Sequence, residues 1–477
     1  MALRIVRKKW ILYRHIRDFK LLCEIAKILK EYFKTEITKT KKKQLLLRLR
    51  ELGLYKERNS KLPLDAINHK INQLSHYMFG YQSEDKFMFS PLGNLFLKNM
   101  DNAEKSAKIF LAMLWSVQYE HPHGGTDKEF KLYPFRLIYK LLSDSRLDYK
   151  LYAFEVSYLV VFVKEAAIYE SLIEKILELR KSSDAKLEEL FQKDPHAYVN
   201  SAYEWDYYVS TLFKNAGVLD KEDGDIICRL KHGKTSFRNI TKNFVTIPKN
   251  LFGFVAKLEK QYSFRKKPLL LNDKERLRED VIKEIYSFYP EILLDEIREK
   301  DTKLSNYLNL PKLIEQYANN PENETARLFE KVLNDGFNMF FNVEARRVGG
   351  SGHTDIECLY LTAKKKFAVE AKSTANKLLS INAGRLKKHR EEIGGKYTIV
   401  ITPRYVPATI CDIEETPNVI ILANTFAEYL YNCMENEVRD IDYADFDNII
   451  VNNLGKDISR DISKLTISKF ATVEIKI

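Results

Sequence analysis

Past residue 336 the chain alternates short apolar segments with helical runs in an order that leaves few folds open. FNMFFNVEAR, DIECLYL and KFAVEAK are strand-like, LLSINAGRLKKHREEI is helical in period, YTIVITP and NVIILA are strand-like again, and TFAEYLYNCME closes as a helix. Strands interleaved with helices in this way build an α/β unit with a mixed central sheet.

The first half follows a different grammar. RDFKLLCEIAKILKEYFKT and KKKQLLLRLRELGLY carry apolar residues at 3 to 4 spacing, and PLDAINHKINQLSHYMFGY continues the helical period. DKFMFSPLGNLFLKN predicts an alternating strand, a turn at Pro91 to Gly93 and a new helix start. Two later stretches, FKLYPFRLIYKLLSDSRLDYKLYAFEVSYLVVF and HAYVNSAYEWDYYVSTLFKNAGVLDKEDGDIICRLKHGKTSFRNITKNFVTIP, repeat helix, break and helix, the second ending in a basic strand pair. Tandem winged-helix-like units fit this order. QYSFRKKPLLLNDKERLRED has the composition of a linker, which sets the expected boundary near residue 268, with a mainly α region at 1–267 and the α/β domain at 268–477.

The formal charge of +12 is concentrated at one end, because residues 1–60 hold 18 Lys and Arg against 6 Asp and Glu. A basic surface of this kind attracts a polyanion, and without amphipathic anchor signals that polyanion is expected to be nucleic acid and not a membrane. Lys41, Lys42, Lys43, Arg48 and Arg50 are the candidate contacts there, and Lys231, Lys234, Arg238 and Lys242 form a second basic group. No stretch is apolar and long enough to span a bilayer, since LYAFEVSYLVVFV is short and holds Glu155. Five cysteines stand singly with no C-x-x-C pair, which argues against a disulfide framework or a zinc ribbon and fits a reducing cytoplasm. His121 and His123 in EHPHGG are expected in an ordinary Pro/Gly loop.

The chemistry concentrates in GGSGHTDIECLYLTAKKKFAVEAKST, residues 349–374. Asp355 starts one strand, and after a turn through AKKK the chain returns along KFAVEAK, so Asp355 and Glu370 can meet across a hairpin. Glu370 and Lys372 are two apart and share a face, whereas Ala371 turns its side chain away and can still offer its carbonyl. Hydrolysing a phosphodiester needs a divalent cation that neutralises the phosphate and acidifies a water, and Mg²⁺, with Mn²⁺ as substitute, accepts one or two carboxylates plus waters. The metal ligands expected are therefore Asp355, Glu370 and the Ala371 carbonyl, with Lys372 positioned to orient or deprotonate the water. A cross-strand ion pair on an exposed hairpin would need the same residues, but Phe367 and Val369 mark the second strand as buried.

This arrangement resembles the PD-(D/E)XK nucleases, with Thr354 in place of the proline, Asp355, and Glu370-Ala371-Lys372 as the E-x-K element, after the glycine-rich VGGSGH. The resemblance implies a supporting acid on the preceding helix, Glu330 or Glu324, and backbone contacts from Arg385, Lys387, Lys388 and His389 on the helix that follows. Joined to the basic N-terminal region, the whole resembles the type IIS restriction endonucleases, with FKLYPFRLIYKLL and SPLGNLFLKN similar to segments of the AlwI-like branch. Such a protein would bind double-stranded DNA in the cytoplasm of a prokaryotic cell and cut at a fixed distance from its site. Completing a double-strand break would take a transient homodimer or a second nuclease subunit. A resolvase-like or repair nuclease and a DNA-binding regulator with an inactive nuclease-like domain are the competing readings. The long N-terminal region argues against the first and the intact Asp355, Glu370 and Lys372 against the second.

Overall fold

TIVIT at Thr398–Thr402 and NVIIL at Asn418–Leu422 are buried at every position. A strand covered on both faces has no reason to alternate polar with apolar residues, and these two are neighbours in a parallel arrangement. The structure, a computed structural model, describes residues 8–470 apart from 14, 33–37, 56–62, 84–85, 124–127, 233–234, 274–277, 291, 298–308, 310–312, 315, 321–323, 349–352, 437 and 439. Two units are present, Met1–Leu270 with Phe288–Arg298, and Leu271–Ser287 with Glu299–Ile477. About half of the chain is helical.

The first unit begins with helices α1 (Phe19–Tyr32), α2 (Lys39–Glu51) and α3 (Pro63–His76), then an antiparallel hairpin of β1 (Gly80–Ser83) and β2 (Lys86–Phe89), then α4 (Pro91–Asn99). α2 buries Leu45, Leu46 and Leu49. The turn expected at Pro91 to Gly93 is instead the first turn of α4: Ser90 caps it by accepting from the Gly93 N–H at 2.9 Å, and Pro91 takes the first position, where no N–H is needed. Only glycine fits at 93, since a Cβ there would lie 2.0 Å from the Phe79 carbonyl oxygen. α3 stops at His76, so the Tyr77–Tyr81 stretch expected to continue it holds a turn and the start of β1. Met78, at φ 67, makes the reversal.

The hub of this unit is the helix Ala103–Ser116, in which every residue from Ser106 to Ser116 is buried. Further on, a π-helical turn at Tyr203–Val209 precedes a second hairpin, β3 (Ile226–His232) with β4 (Ser236–Thr241). Asp206 fastens that turn to the end of β4 and the residues after it, accepting from Thr241 Oγ1 at 3.0 Å and from Asn243 Nδ2 at 3.0 Å.

The second unit is built on one five-stranded sheet. Its strands are β5 (Val343–Arg347), β6 (Ile356–Tyr360), β7 (Lys365–Ala371), β8 (Thr398–Thr402) and β9 (Asn418–Leu422), in the spatial order β9-β8-β7-β6-β5. β5, β6 and β7 pair antiparallel, whereas β7, β8 and β9 pair parallel. The change of direction follows from the connection: β7 reaches β8 through a crossover helix, α6 (Ala383–Glu392), and a parallel neighbour demands such a crossover. α6 covers one face, with Leu386 packed with Val400 and Ile420. The other face buries Ile356, Val369, Ile399 and Val419 with Phe329, Leu333 and Phe337 of α5 (Ala326–Phe337) and Phe426 of α7 (Ala423–Glu435). In this register Glu370, opposite Val400, belongs to the face under α6.

Candidate active site

β7 enters the core as Phe367, Ala368 and Val369, all fully buried, and then meets a charge. Glu370 is 1% exposed, a placement that an ionised carboxylate occupies only when something compensates the loss of water. Lys372, two residues on and on the same face, donates from Nζ to Glu370 Oε1 at 2.6 Å. Its backbone N–H is held by the Ile401 carbonyl at 2.8 Å, which fixes the end of β7 against β8.

The β6–β7 ladder pairs Ile356 with Val369, and one step further Asp355 comes opposite Glu370. Three hydrogen bonds set it there. Thr354 Oγ1 donates to the Val369 carbonyl at 3.1 Å, the Asp355 carbonyl accepts from the Val348 N–H at 3.1 Å, and Asp355 Oδ2 accepts from the Ala371 N–H at 2.8 Å. Burial pushes the Asp355 carboxyl up to about 7, and the facing Glu370 adds to the rise. The Ala371 N–H and the Lys372 ammonium oppose it, and Glu330 on α5 contributes a smaller push upward. The structure thus brings together Asp355, Glu370 and Lys372 with Glu330 within electrostatic reach, while Glu324 is exposed and precedes the first residue of α5. The glycine-rich 349–352 lies outside the described residues.

Glu370 Oε2 is buried and has no hydrogen-bond partner. It faces His389 Nδ1 of α6 at 3.7 Å, an atom equally buried and equally without one. Among the described residues no three His, Cys, Asp or Glu side chains converge as a metal-binding group. Two neighbouring carboxylates, one of them pushed toward protonation by its burial and by the other, form a donor set that a divalent cation would relieve.

A family model for the N-terminal domain of the type II restriction endonuclease HgaI matches residues 5–262. The type II restriction enzyme HgaI of Avibacterium volantium is 48% identical over 477 residues, covering 97% of this chain and 97% of that protein. The chain belongs to the HgaI family of type II restriction endonucleases. Where short apolar segments suggested the AlwI-like branch, the matches are to HgaI. Among solved structures, the restriction endonuclease FokI gives a TM-score of 0.29 at 10% identity over 94% of this chain and 99% of that one. The BpuJ1 endonuclease binding domain in complex with modified DNA gives 0.38 at 14% identity over 58% and 94%. These likenesses are too distant to bear on the fold or the chemistry.

In this HgaI-family chain the basic residues singled out from the sequence meet different fates. On α2, Lys43 and Arg48 are exposed and Lys41, Lys42 and Arg50 half-buried, with Arg48 pairing to Glu51 at 3.0 Å. Lys231 is exposed near the end of β3, and Lys234 lies outside the described residues. Arg238 stacks over the Tyr203 ring at 4.0 Å, and Lys242 is neutralised by Asp184 at 2.7 Å. Arg385 and Lys388 are exposed on α6, Lys388 reaching Glu392 at 4.0 Å. His389, grouped with them as a backbone contact, points the other way and is 2% exposed. His121 has both ring nitrogens against backbone, at His123 and at the His76 carbonyl, as a loop histidine would.

Proposed function

We propose that this chain is a divalent-metal-dependent, sequence-specific DNA endonuclease of the type IIS kind, cutting at a fixed distance from the sequence it binds. The observation that carries the reading is the cluster of Asp355, Glu370 and Lys372 at the buried end of one hairpin, in a chain of the HgaI restriction endonuclease family. The second unit is read as a PD-(D/E)XK nuclease domain. The first is read as the DNA-recognition region, supported by its three helices followed by a hairpin and by its basic first 60 residues.

In this reading Asp355, Glu370 and the Ala371 carbonyl hold Mg²⁺ or Mn²⁺, and Glu330 supports the acids from α5. The bound cation supplies charge neutralisation at the scissile phosphate and a more acidic water. Lys372, held as an ammonium 2.6 Å from Glu370, would align that water and steady the negative charge that develops at the phosphate. One such cluster serves one strand, so a double-strand break calls for a second copy or a second nuclease subunit. Membrane insertion is not part of the reading: among the described residues no helix is long and apolar enough to cross a membrane.

The test is plasmid digestion with EDTA, Ca²⁺, Mg²⁺ or Mn²⁺, followed by run-off sequencing of the products. One short motif at constant offset, with Mg²⁺ or Mn²⁺ only, and binding without cutting in Ca²⁺, is the expected result. Asp355→Ala should bind and not cut. Nicking by Asp355→Ala at the wild-type rate would overturn the assignment.

A further inference from the structure

The crossover helix delivers an imidazole to the acid cluster. Asn382 caps α6 by accepting from the Arg385 N–H at 2.9 Å, Leu386 packs down onto Val400 and Ile420, and His389, three residues later, falls on the same face. Arg390 pins this end of the helix to the sheet, donating from Nη1 to Asn418 Oδ1 at 2.8 Å and Thr398 Oγ1 at 3.2 Å. The helix therefore has little freedom to carry His389 elsewhere. At 2% exposure, beside a carboxylate at 1%, the imidazole has its Nδ1 3.7 Å from Glu370 Oε2.

Each atom of that pair is buried without a hydrogen-bond partner. A buried carboxylate oxygen and a buried ring nitrogen left so are individually costly, and bonding to each other removes both deficits at once. The other oxygen of Glu370 is already engaged by Lys372. Carboxylates that ligate metals are commonly fixed by a donor on their outer oxygen, which sets the orientation of the inner one.

We infer that His389 is a positioning residue that donates from Nδ1–H to Glu370 Oε2, fixing the carboxylate so that its other oxygen faces the cation. The inference rests on the reading of Glu370 as a metal-holding acid. The neutral imidazole with its proton on Nδ1 suffices for the role. A shift of about half an ångström brings the pair within hydrogen-bond distance. His389 touches neither DNA nor water in this role, and acts through Glu370 alone.

The full chain carries the test, with Mn²⁺ as the probe. His389→Leu fills the space without a donor, and His389→Asn keeps an N–H near the Nδ1 position. Free Mn²⁺ is followed by electron paramagnetic resonance, and plasmid nicking is measured across Mn²⁺ concentration. His389→Leu should weaken Mn²⁺ binding and raise the Mn²⁺ needed for half-maximal nicking by about 10- to 100-fold, with most of the rate regained at saturating Mn²⁺. His389→Asn should lie nearer the wild type on both readouts, and plasmid binding in Ca²⁺ should be unchanged in each.

Equal loss in both variants at every Mn²⁺ concentration, with Mn²⁺ binding intact, would make His389 a packing residue and overturn the inference. So would a wild-type Mn²⁺ requirement in His389→Leu. If His389→Leu does not fold, His389→Ala takes its place, with recovery of Mn²⁺ binding on adding free imidazole as the expected sign. Glu370→Gln separates the two levels: wild-type nicking by that variant would remove the site itself, whereas loss of nicking there with an indifferent His389 would remove only the inference.

Discussion

Asp355→Asn should make the metal-free protein more stable at neutral pH while abolishing cleavage. The asparagine can still accept from the Ala371 N–H, so the change removes the charge and little else. Burial and Glu370 push the wild-type carboxyl up from 3.8 to about 7. Because the folded value lies above the unfolded one, the folded state binds the proton more tightly. The stability associated with it is fully present below about pH 4 and is lost as pH rises to about 7. Three pKa units at about 1.4 kcal/mol each give about 4 kcal/mol, and solvent reaching a half-buried carboxyl brings this to about 2 kcal/mol. About two thirds of it, some 1–1.5 kcal/mol, accrues between pH 5 and 8, equivalent to a Tm difference of about 3–5 °C for a unit of this size. Calorimetry of the full chain in EDTA measures it. Trp10, Trp115 and Trp205 all belong to the first unit, so tryptophan fluorescence assigns that unit's transition and leaves the other for comparison. Mg²⁺ should raise the wild-type transition and leave that of Asp355→Asn in place. A gap that does not change with pH, or a wild type more stable than the variant at pH 8 in EDTA, would refute the electrostatic account of the site.

Lys372→Met should lower the single-turnover nicking rate by about 10²- to 10⁴-fold with DNA binding kept, as expected when a group that handles the attacking water is lost. Arg180→Met should cost the first unit about 3–5 kcal/mol, read by denaturant unfolding with tryptophan fluorescence, because fully buried Glu155 would lose its partner at 2.6 Å. The Leu147 and Lys150 carbonyls would lose their donors too. If Lys231 contacts phosphate, Lys231→Ala should reduce the salt slope of DNA binding by about one, whereas Lys242→Ala should leave the slope unchanged because Asp184 already neutralises that charge.

The hairpin of β6 and β7 was legible because its period of two is unforgiving: once KFAVEAK is a strand, Glu370 and Lys372 must share a face. β1 was not, because YMFGY continues the apolar spacing of α3 and the reversal is made at Met78, a residue that does not advertise a positive φ. Nor was the fate of Lys242, since strand alternation gives a face but says nothing of Asp184, which comes from a helix 58 positions earlier in the chain. His389 is the instructive case. In GRLKKHREEI it stands among charges and looks like one more solvated residue, yet its spacing from Leu386 puts it on the buried side of α6. The helical phase held that information, and residue type concealed it.

The same conflict makes the candidate site visible at all. Local rules agree along most of β7, where Phe367, Ala368 and Val369 are fully buried, and they break at Glu370, an acid with no apolar reason to be 1% exposed. Sequences specify folds through agreement among such rules, and the positions that violate them are where function has set the residue instead. Asp355 repeats the violation across the ladder, held by three hydrogen bonds in a place that drives its own carboxyl toward protonation. An acid pushed toward protonation by burial and by its neighbour would be a poor choice for folding the hairpin alone. In the proposed reading Asp355 and Glu370 are a pair that a cation completes, so the metal-free stability of Asp355→Asn and the Mn²⁺ affinity of His389→Leu probe the same design from opposite sides.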